Sequence, residues 1–162
     1  MSDNVTGQTL NDPAVFAGLL GKQQRLLGLD LGTKTIGVAL SDVSRTIASA
    51  LETIARSKFT ADAARLSDIA AEHHIAGLVL GLPRNLDGSE GPRAQSTRAF
   101  ARNFNRLSPL PILLWDERLT TAEAERALLE ADASRKRRGE LIDKVAAAII
   151  LQSALDRMKA VN

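Results

Sequence analysis

The chain has 162 residues, 44% of them hydrophobic and 25% charged, which fits one ordinary globular domain with a real core and excludes a disordered, collagenous or fibrous protein. It contains no cysteine, so disulfides, thiolate metal sites and cysteine nucleophiles are excluded and any metal must be held by oxygen or histidine. The formal charge of +2 is only mildly basic, so a polyanionic partner has to be argued from local clusters. No apolar run approaches the ~20 residues that cross a bilayer, and a secretory pattern is missing at the N-terminus; the expectation is a cytoplasmic protein with no membrane partner.

Residues 1–24 mix Ser, Asp, Asn, Thr, Gly and Gln around a short apolar patch, and read as a flexible tail ahead of a domain spanning residues 25–160. Three strand-like runs follow: Leu26 to Leu31, Thr35 to Ser41 and Thr46 to Ile54, separated by short turns as in an antiparallel meander. Thr60 is a plausible N-cap for a helix from Ala61 to about His74, with Leu66, Ile69, Ala70 and His73 on one face. Ala76 to Leu82 makes an apolar strand that Pro83 stops. The loop to Pro92 is rich in turn residues and reads as a substrate-responsive flap. A helix from about Arg93 to Leu107 should bury Thr97, Phe100, Phe104 and Leu107. Ile112 to Asp116 forms the last strand. Thr120 and Glu123 have capping-box spacing for a helix with Ala124, Ala127, Leu128 and Ala131 inward, and the run Arg135-Lys136-Arg137-Arg138 leads into a final helix to about Met158. This order predicts an α/β fold with a mixed five-stranded sheet, three antiparallel strands followed by parallel ones, and helices on both faces.

Asp30 stands out because it lies mid-strand where a sheet should be apolar. Parity puts Leu27, Leu29 and Leu31 on one face and Gly28, Asp30 and Gly32 on the other, and burying such a carboxylate unpaired would raise its pKa or cost several kcal/mol. Asp143 precedes Ala147, Ile150 and Leu151 by four, seven and eight residues, so it shares a helix flank with residues that should face the sheet. A glycine-lined strand face and the Ala146-Ala147-Ala148 run would fit each other and bring the two acids together. Asp116 and Glu117, at the end of the last strand, point to opposite faces, so only one need join them. Singly, each acid has an ordinary alternative: Asp30 capping a turn, Asp143 neutralising Lys144 or the basic run, Glu117 pairing with Arg118 in solvent. Three acids from separate elements would repel one another without a cation. An oxygen-only site suits Mg2+ or Mn2+, and two such ions ~3.5 to 4 Å apart activate a water and stabilise the leaving oxygen of a phosphodiester.

Arg135 to Arg138 lack interleaved acids and are a candidate phosphate contact, and Arg84 and Arg93 flank the glycine-rich loop within reach of a backbone. Arg98, Arg102 and Arg106 recur every four residues as a solvated stripe. His73 and His74 close a helix, where an imidazole merely suits unpaired carbonyls. Trp115 belongs to the core. With no tyrosine and only four phenylalanines, base-stacking platforms are scarce, so recognition should rest on backbone and shape.

The strings GLDLGTKTIGVALSD, GLPRNLDGSEGPRA, DERLTT and DKVAAAIILQSAL resemble the YqgF family, also called RuvX, of pre-16S ribosomal RNA nucleases and Holliday junction resolvases, over about Arg25 to Leu155. The resemblance implies an RNase H-like fold and metal-dependent phosphodiester cleavage. It implies Asp30, Glu117 and Asp143 as the catalytic and metal-binding acids, with Asp116 a less certain fourth. Lys34, Arg84, Arg93, Arg135, Lys136, Arg137 and Arg138 are the expected substrate contacts. The expected activity is endonucleolytic processing of the 5' end of precursor 16S ribosomal RNA with Mg2+ or Mn2+, two ions when substrate is bound. A resolvase of branched DNA is the alternative, and two cuts on a symmetric junction would require a homodimer. Asp30-Leu31-Gly32-Thr33 also resembles the first phosphate loop of actin-like ATPases, but the chain is short for two such lobes and lacks a second glycine-rich loop. A nonhydrolytic nucleic-acid-binding subunit would not need three carboxylates.

Overall fold

A computed structural model describes residues 7–120 and 138–160, with side chains in the last helix from residue 144 onward. The elements in chain order are β1 (Thr9–Leu10), α1 (Pro13–Gly18), β2 (Arg25–Leu31), β3 (Thr35–Ser41), β4 (Ala48–Ala55), α2 (Phe59–Glu72), β5 (Ile75–Leu82), α3 (Pro92–Asn105), β6 (Ile112–Asp116), a 3-10 turn (Glu117–Leu119) and α4 (Arg138–Ala160). The helix expected after Thr120 lies outside the described residues, as do Arg135, Lys136 and Arg137.

The sheet has six strands in the order β1-β6-β5-β2-β3-β4, not five. β2, β3 and β4 form the expected antiparallel meander, while β5 joins β2, and β6 joins β5, in parallel. The sixth strand comes from the segment read as a tail: Thr9 and Leu10 pair in parallel with Ile112 and Leu113 of β6. Two residues of strand carry little periodicity, which is why composition pointed to a tail. The next residues are equally ordered. Asp12 caps α1 by accepting from the Ala14 amide at 2.9 Å, Pro13 opens the helix, and Phe16 is fully buried. A Cβ on Gly77 of β5 would stand 2.9 Å from the Phe16 ring, so this glycine makes the slot that the phenylalanine fills.

Strand parity divides the apolar residues between two faces. Leu27, Leu29 and Leu31 of β2, Leu78, Leu80 and Leu82 of β5 and Ile112 and Leu114 of β6 pack under α2 and α3 with Leu66, Ile69, Phe100 and Phe104. Leu26, Val79, Leu113 and Trp115 pack with Phe16 of α1 and with Ala147, Ile150, Leu151 and Leu155 of α4. The edge-to-face contact of Phe59 and Phe100, 5.3 Å between centroids, joins α2 to α3.

Two helix boundaries differ from expectation. Lys58, not Thr60, is the N-cap of α2, because the buried Asp62 carboxylate reaches back to the Ser57 amide at 3.2 Å and fixes the entry to the first turn. Helix α3 ends at Asn105, so Leu107 falls past it and is exposed, whereas Thr97, Phe100 and Phe104 are buried as expected.

Candidate functional site

Asp30 occupies the penultimate position of β2, on the face that α4 covers. It pairs with Gly37 of β3, and the register Gly28 to Val79 and Leu29 to Leu80 carries it alongside Gly81 of β5. Both lateral neighbours therefore lack a side chain. On the same face a Cβ on Gly28 would lie 2.6 Å from Leu151 Cβ and 2.9 Å from the Ala147 carbonyl oxygen, so strand and helix meet at backbone distance. Only Gly opposite Ala allows this approach.

Glu117 follows β6 with the parity of Leu113 and Trp115, and it reaches the same face. A Cβ on Gly81 would stand 2.9 Å from Glu117 Oε2 and 2.6 Å from Ile150 Cδ1; the acid lies over the glycine, beside α4. Its carboxyl is pushed up to about 7, first by burial, next by the negative charge of Asp30, with Asp116 adding to the rise and Arg93 opposing it. Asp30 and Glu117, eighty-odd positions apart in sequence, thus act on each other electrostatically at the carboxyl ends of parallel strands.

Asp116 points elsewhere. It accepts the Arg118 amide at 2.9 Å, pairs with the Arg118 guanidinium at 2.7 Å and with Arg84 at 3.6 Å, and the Arg118 bonds hold its carboxyl below the usual range. These bonds tie it to Arg118 and to Arg84 of the loop that follows β5. Arg118 also donates to the Leu86 carbonyl at 3.2 Å. In the sequence Arg118 reads only as a solvent partner of Glu117, because nothing local marks so long a reach.

The third acid, Asp143, has its backbone in α4, one turn before Ala147 and on the same flank; its side chain lies outside the described residues, as does that of Arg138. The far end of α4, Leu155 and Met158, packs near Ser44 and Arg45 beside the start of β2, where the Leu26 amide donates to Ser41 Oγ. The helix therefore runs antiparallel to β2, with Asp143 toward the Asp30 end. Among the described residues no three carboxylate or imidazole side chains are grouped to hold a metal.

The expected basic contacts separate into two kinds. Arg84, half-buried, lies between Glu90 at 3.4 Å and Asp116, although its Nε lacks hydrogen-bond geometry to either. Arg93 donates to the Leu31 carbonyl at 3.2 Å and stands close enough to Glu117 to lower its pKa. Lys34 is exposed in the β2–β3 turn. The loop from Pro83 to Pro92, expected as a flap, is tied down: the Asn85 amide donates to the Ser89 carbonyl at 2.9 Å, Ser89 Oγ donates to Asp87 at 2.6 Å, and Glu90 takes a two-pronged bond from Arg98 at 2.6 and 2.7 Å. That last bond holds the Glu90 carboxyl low and removes Arg98 from the solvated stripe; Arg102 and Arg106 remain exposed.

Comparison with known proteins identifies the family. The family described as "RuvX: Holliday junction resolvase" matches residues 24–157. A protein of Roseobacter denitrificans described as "Putative pre-16S rRNA nuclease" is 64% identical over 155 residues, covering 94% of this chain and 95% of that protein. One of Paracoccus denitrificans with the same description is 66% identical over 144 residues, covering 89% and 91%. Among solved structures, Thermus thermophilus RuvC shares the fold at a TM-score of 0.52 and 14% identity, over 85% of this chain and 96% of that one. The fold is thus α/β and RNase H-like, no described helix is long and apolar enough to cross a membrane, and the chain belongs to the RuvX family of nucleases.

Proposed function

We propose that this nuclease is a divalent-metal endonuclease acting on structured nucleic acid, with precursor 16S ribosomal RNA as its substrate and Asp30, Glu117 and Asp143 as the metal-holding acids. The observation that carries the reading is the position of Glu117 over Gly81, the glycine beside Asp30, where the negative charge of Asp30 helps to raise the Glu117 carboxyl. Two acids forced together on a glycine-lined face gain from a cation between them, and an all-oxygen donor set fits Mg2+ or Mn2+. When bound, such ions supply an activated water and stabilise the leaving oxygen of the phosphodiester.

The chain's own residues do the rest. Glycines 37 and 81 keep space beside Asp30 so that a phosphate can approach the carboxylates. Arg93, anchored on Leu31, draws the backbone to the carboxyl end of β2. Glu117, once deprotonated, orients its oxygens toward Asp30 across Gly81. Arg135 to Arg138, which precede Asp143 in sequence, guide the backbone. Arg84 has its charge taken up by Glu90 and Asp116, so its contribution is to hold the loop rather than to grip phosphate.

The relatives described as pre-16S rRNA nucleases favour RNA, and the family description keeps branched DNA as the second reading. The test is a side-by-side cleavage assay with Mg2+ on a ribosomal precursor leader and a four-way junction, with Asp30→Asn as control. Faster cleavage of the leader, lost in the variant, is expected. Preference for the junction would reverse the substrate assignment, and full activity in Asp30→Asn would refute the site.

A further inference from the structure

A cavity of about 270 Å³ opens on the other face of the sheet at the same strand end and is lined by Gly32, Thr33, Arg56, Arg93 and Ser96 among others. Arg56, just past β4, donates from Nη1 to the Gly32 carbonyl at 2.6 Å, and its own amide bonds to the Lys34 carbonyl at 2.9 Å. Arg93 donates to the neighbouring Leu31 carbonyl at 3.2 Å. Each guanidinium has five N–H donors, and each is positioned here by a single side-chain bond to one carbonyl, Leu31 at the end of β2 for Arg93 and Gly32 just after it for Arg56. Among the described residues neither forms an ion pair, whereas Arg65, Arg84, Arg98 and Arg118 all do.

Two preplaced cations, neither within ion-pair distance of a carboxylate among the described residues although Arg93 feels the charge of Glu117, plus the hydroxyls of Thr33 and Ser96, make a lining that selects an anion. Among the described residues no aromatic side chain lines the cavity to stack a base. From these observations we infer that the cavity between the β2–β3 turn and the start of α3 is a phosphate subsite, and that Arg56 is a substrate-positioning residue gripping a backbone phosphodiester next to the one cleaved. The inference rests on the proposed nuclease reading and deepens it. Leu31 borders the cavity and Asp30 lies on the opposite face near Glu117, so a strand crossing the end of β2 meets both in succession.

The experiment is equilibrium binding of a fluorescently labelled precursor leader RNA in the presence of EDTA, which needs neither metal nor turnover. Arg56→Gln should raise Kd about five- to tenfold and lower the slope of log K against log salt by about one, while Arg56→Lys keeps most of the affinity. Ser96→Asp, which sets a negative charge at the cavity without touching Arg56, should weaken binding similarly and serves if Arg56→Gln melts early. Inorganic phosphate at matched ionic strength should compete with the RNA for the unmodified protein. Unchanged affinity and slope in folded Arg56→Gln and Ser96→Asp would overturn the subsite, as would phosphate binding that leaves RNA affinity untouched. Neither result would bear on the carboxylates, which Asp30→Asn tests separately.

Discussion

Glu117 lies against Gly81 with its carboxyl held up to about 7 by burial and by the charge of Asp30. Asp30 of β2 and Glu117, just past β6, are thereby electrostatically joined across the intervening β5, and the link exists because Gly81 offers no side chain to separate them. An arrangement that disfavours two negative charges in the empty protein is the one that a dication relieves.

That relationship predicts how stability responds to pH without metal. Folded Glu117 keeps its proton up to about 7, whereas in the unfolded chain it loses it near 4.5. Between these values the folded state binds more protons, so its stability is fully present below about 4.5 and falls as pH rises through 7. In EDTA, Tm should therefore decline from pH 5 to 8 more steeply than in Glu117→Gln, measured by circular dichroism. Parallel profiles would disprove the perturbation.

The two adjacent acids of β6 and the turn after it should separate in function. On the proposed reading Glu117→Gln removes an oxygen that holds metal and should lower cleavage on the order of 10²-fold or more with the fold intact. Asp116→Asn loosens Arg118 and Arg84 and should cost about tenfold at most, accompanied by a lower Tm. Single-turnover rates with Mg2+ check both, and a reversed order would exchange their roles.

Close approach of α4 to β2 makes Gly28 intolerant of any side chain. Gly28→Ala would put a methyl 2.6 Å from Leu151 Cβ, and should destabilise by about 1–3 kcal/mol. Gly18→Ala, with nothing within 4 Å, should be neutral or stabilising by up to ~1 kcal/mol. Urea denaturation gives both numbers; equal effects would contradict the packing.

The N-terminal segment should matter for stability. Phe16 is fully buried in the slot over Gly77, so Phe16→Ala should cost about 3–5 kcal/mol. Removal of residues 1–24 should cost at least as much, with Leu10 and its pairing to β6 also lost. Full-length and shortened proteins of equal Tm would restore the reading of a dispensable tail.

Strong periodicity made most of this architecture legible. The β2–β3 meander, the buried face of α3 up to Phe104 and the parity that parts Asp116 from Glu117 all follow from local pattern, and Gly28 opposite the alanines of α4 follows from volume alone. What stayed hidden depends on partners distant in sequence. β1 is two residues long and exists only because β6 offers it an edge. Leu107 kept the right spacing but fell beyond the helix end. Arg84 and Arg93 look alike in the sequence, yet Arg84 meets two carboxylates and Arg93 a backbone carbonyl. Arg56 carries no motif; the hairpin register that pairs Thr35 with Ala55 is what brings it to Gly32.

Direct metal binding tests the shared site most sharply, because it reports on Asp143 as well as on the described pair. Titration of Mn2+ followed by electron paramagnetic resonance should show binding by the unmodified protein that weakens at least about tenfold in each of Asp30→Asn, Glu117→Gln and Asp143→Asn. Undiminished Mn2+ binding in any one of the folded variants would contradict the claim that these three acids hold one ion-binding centre.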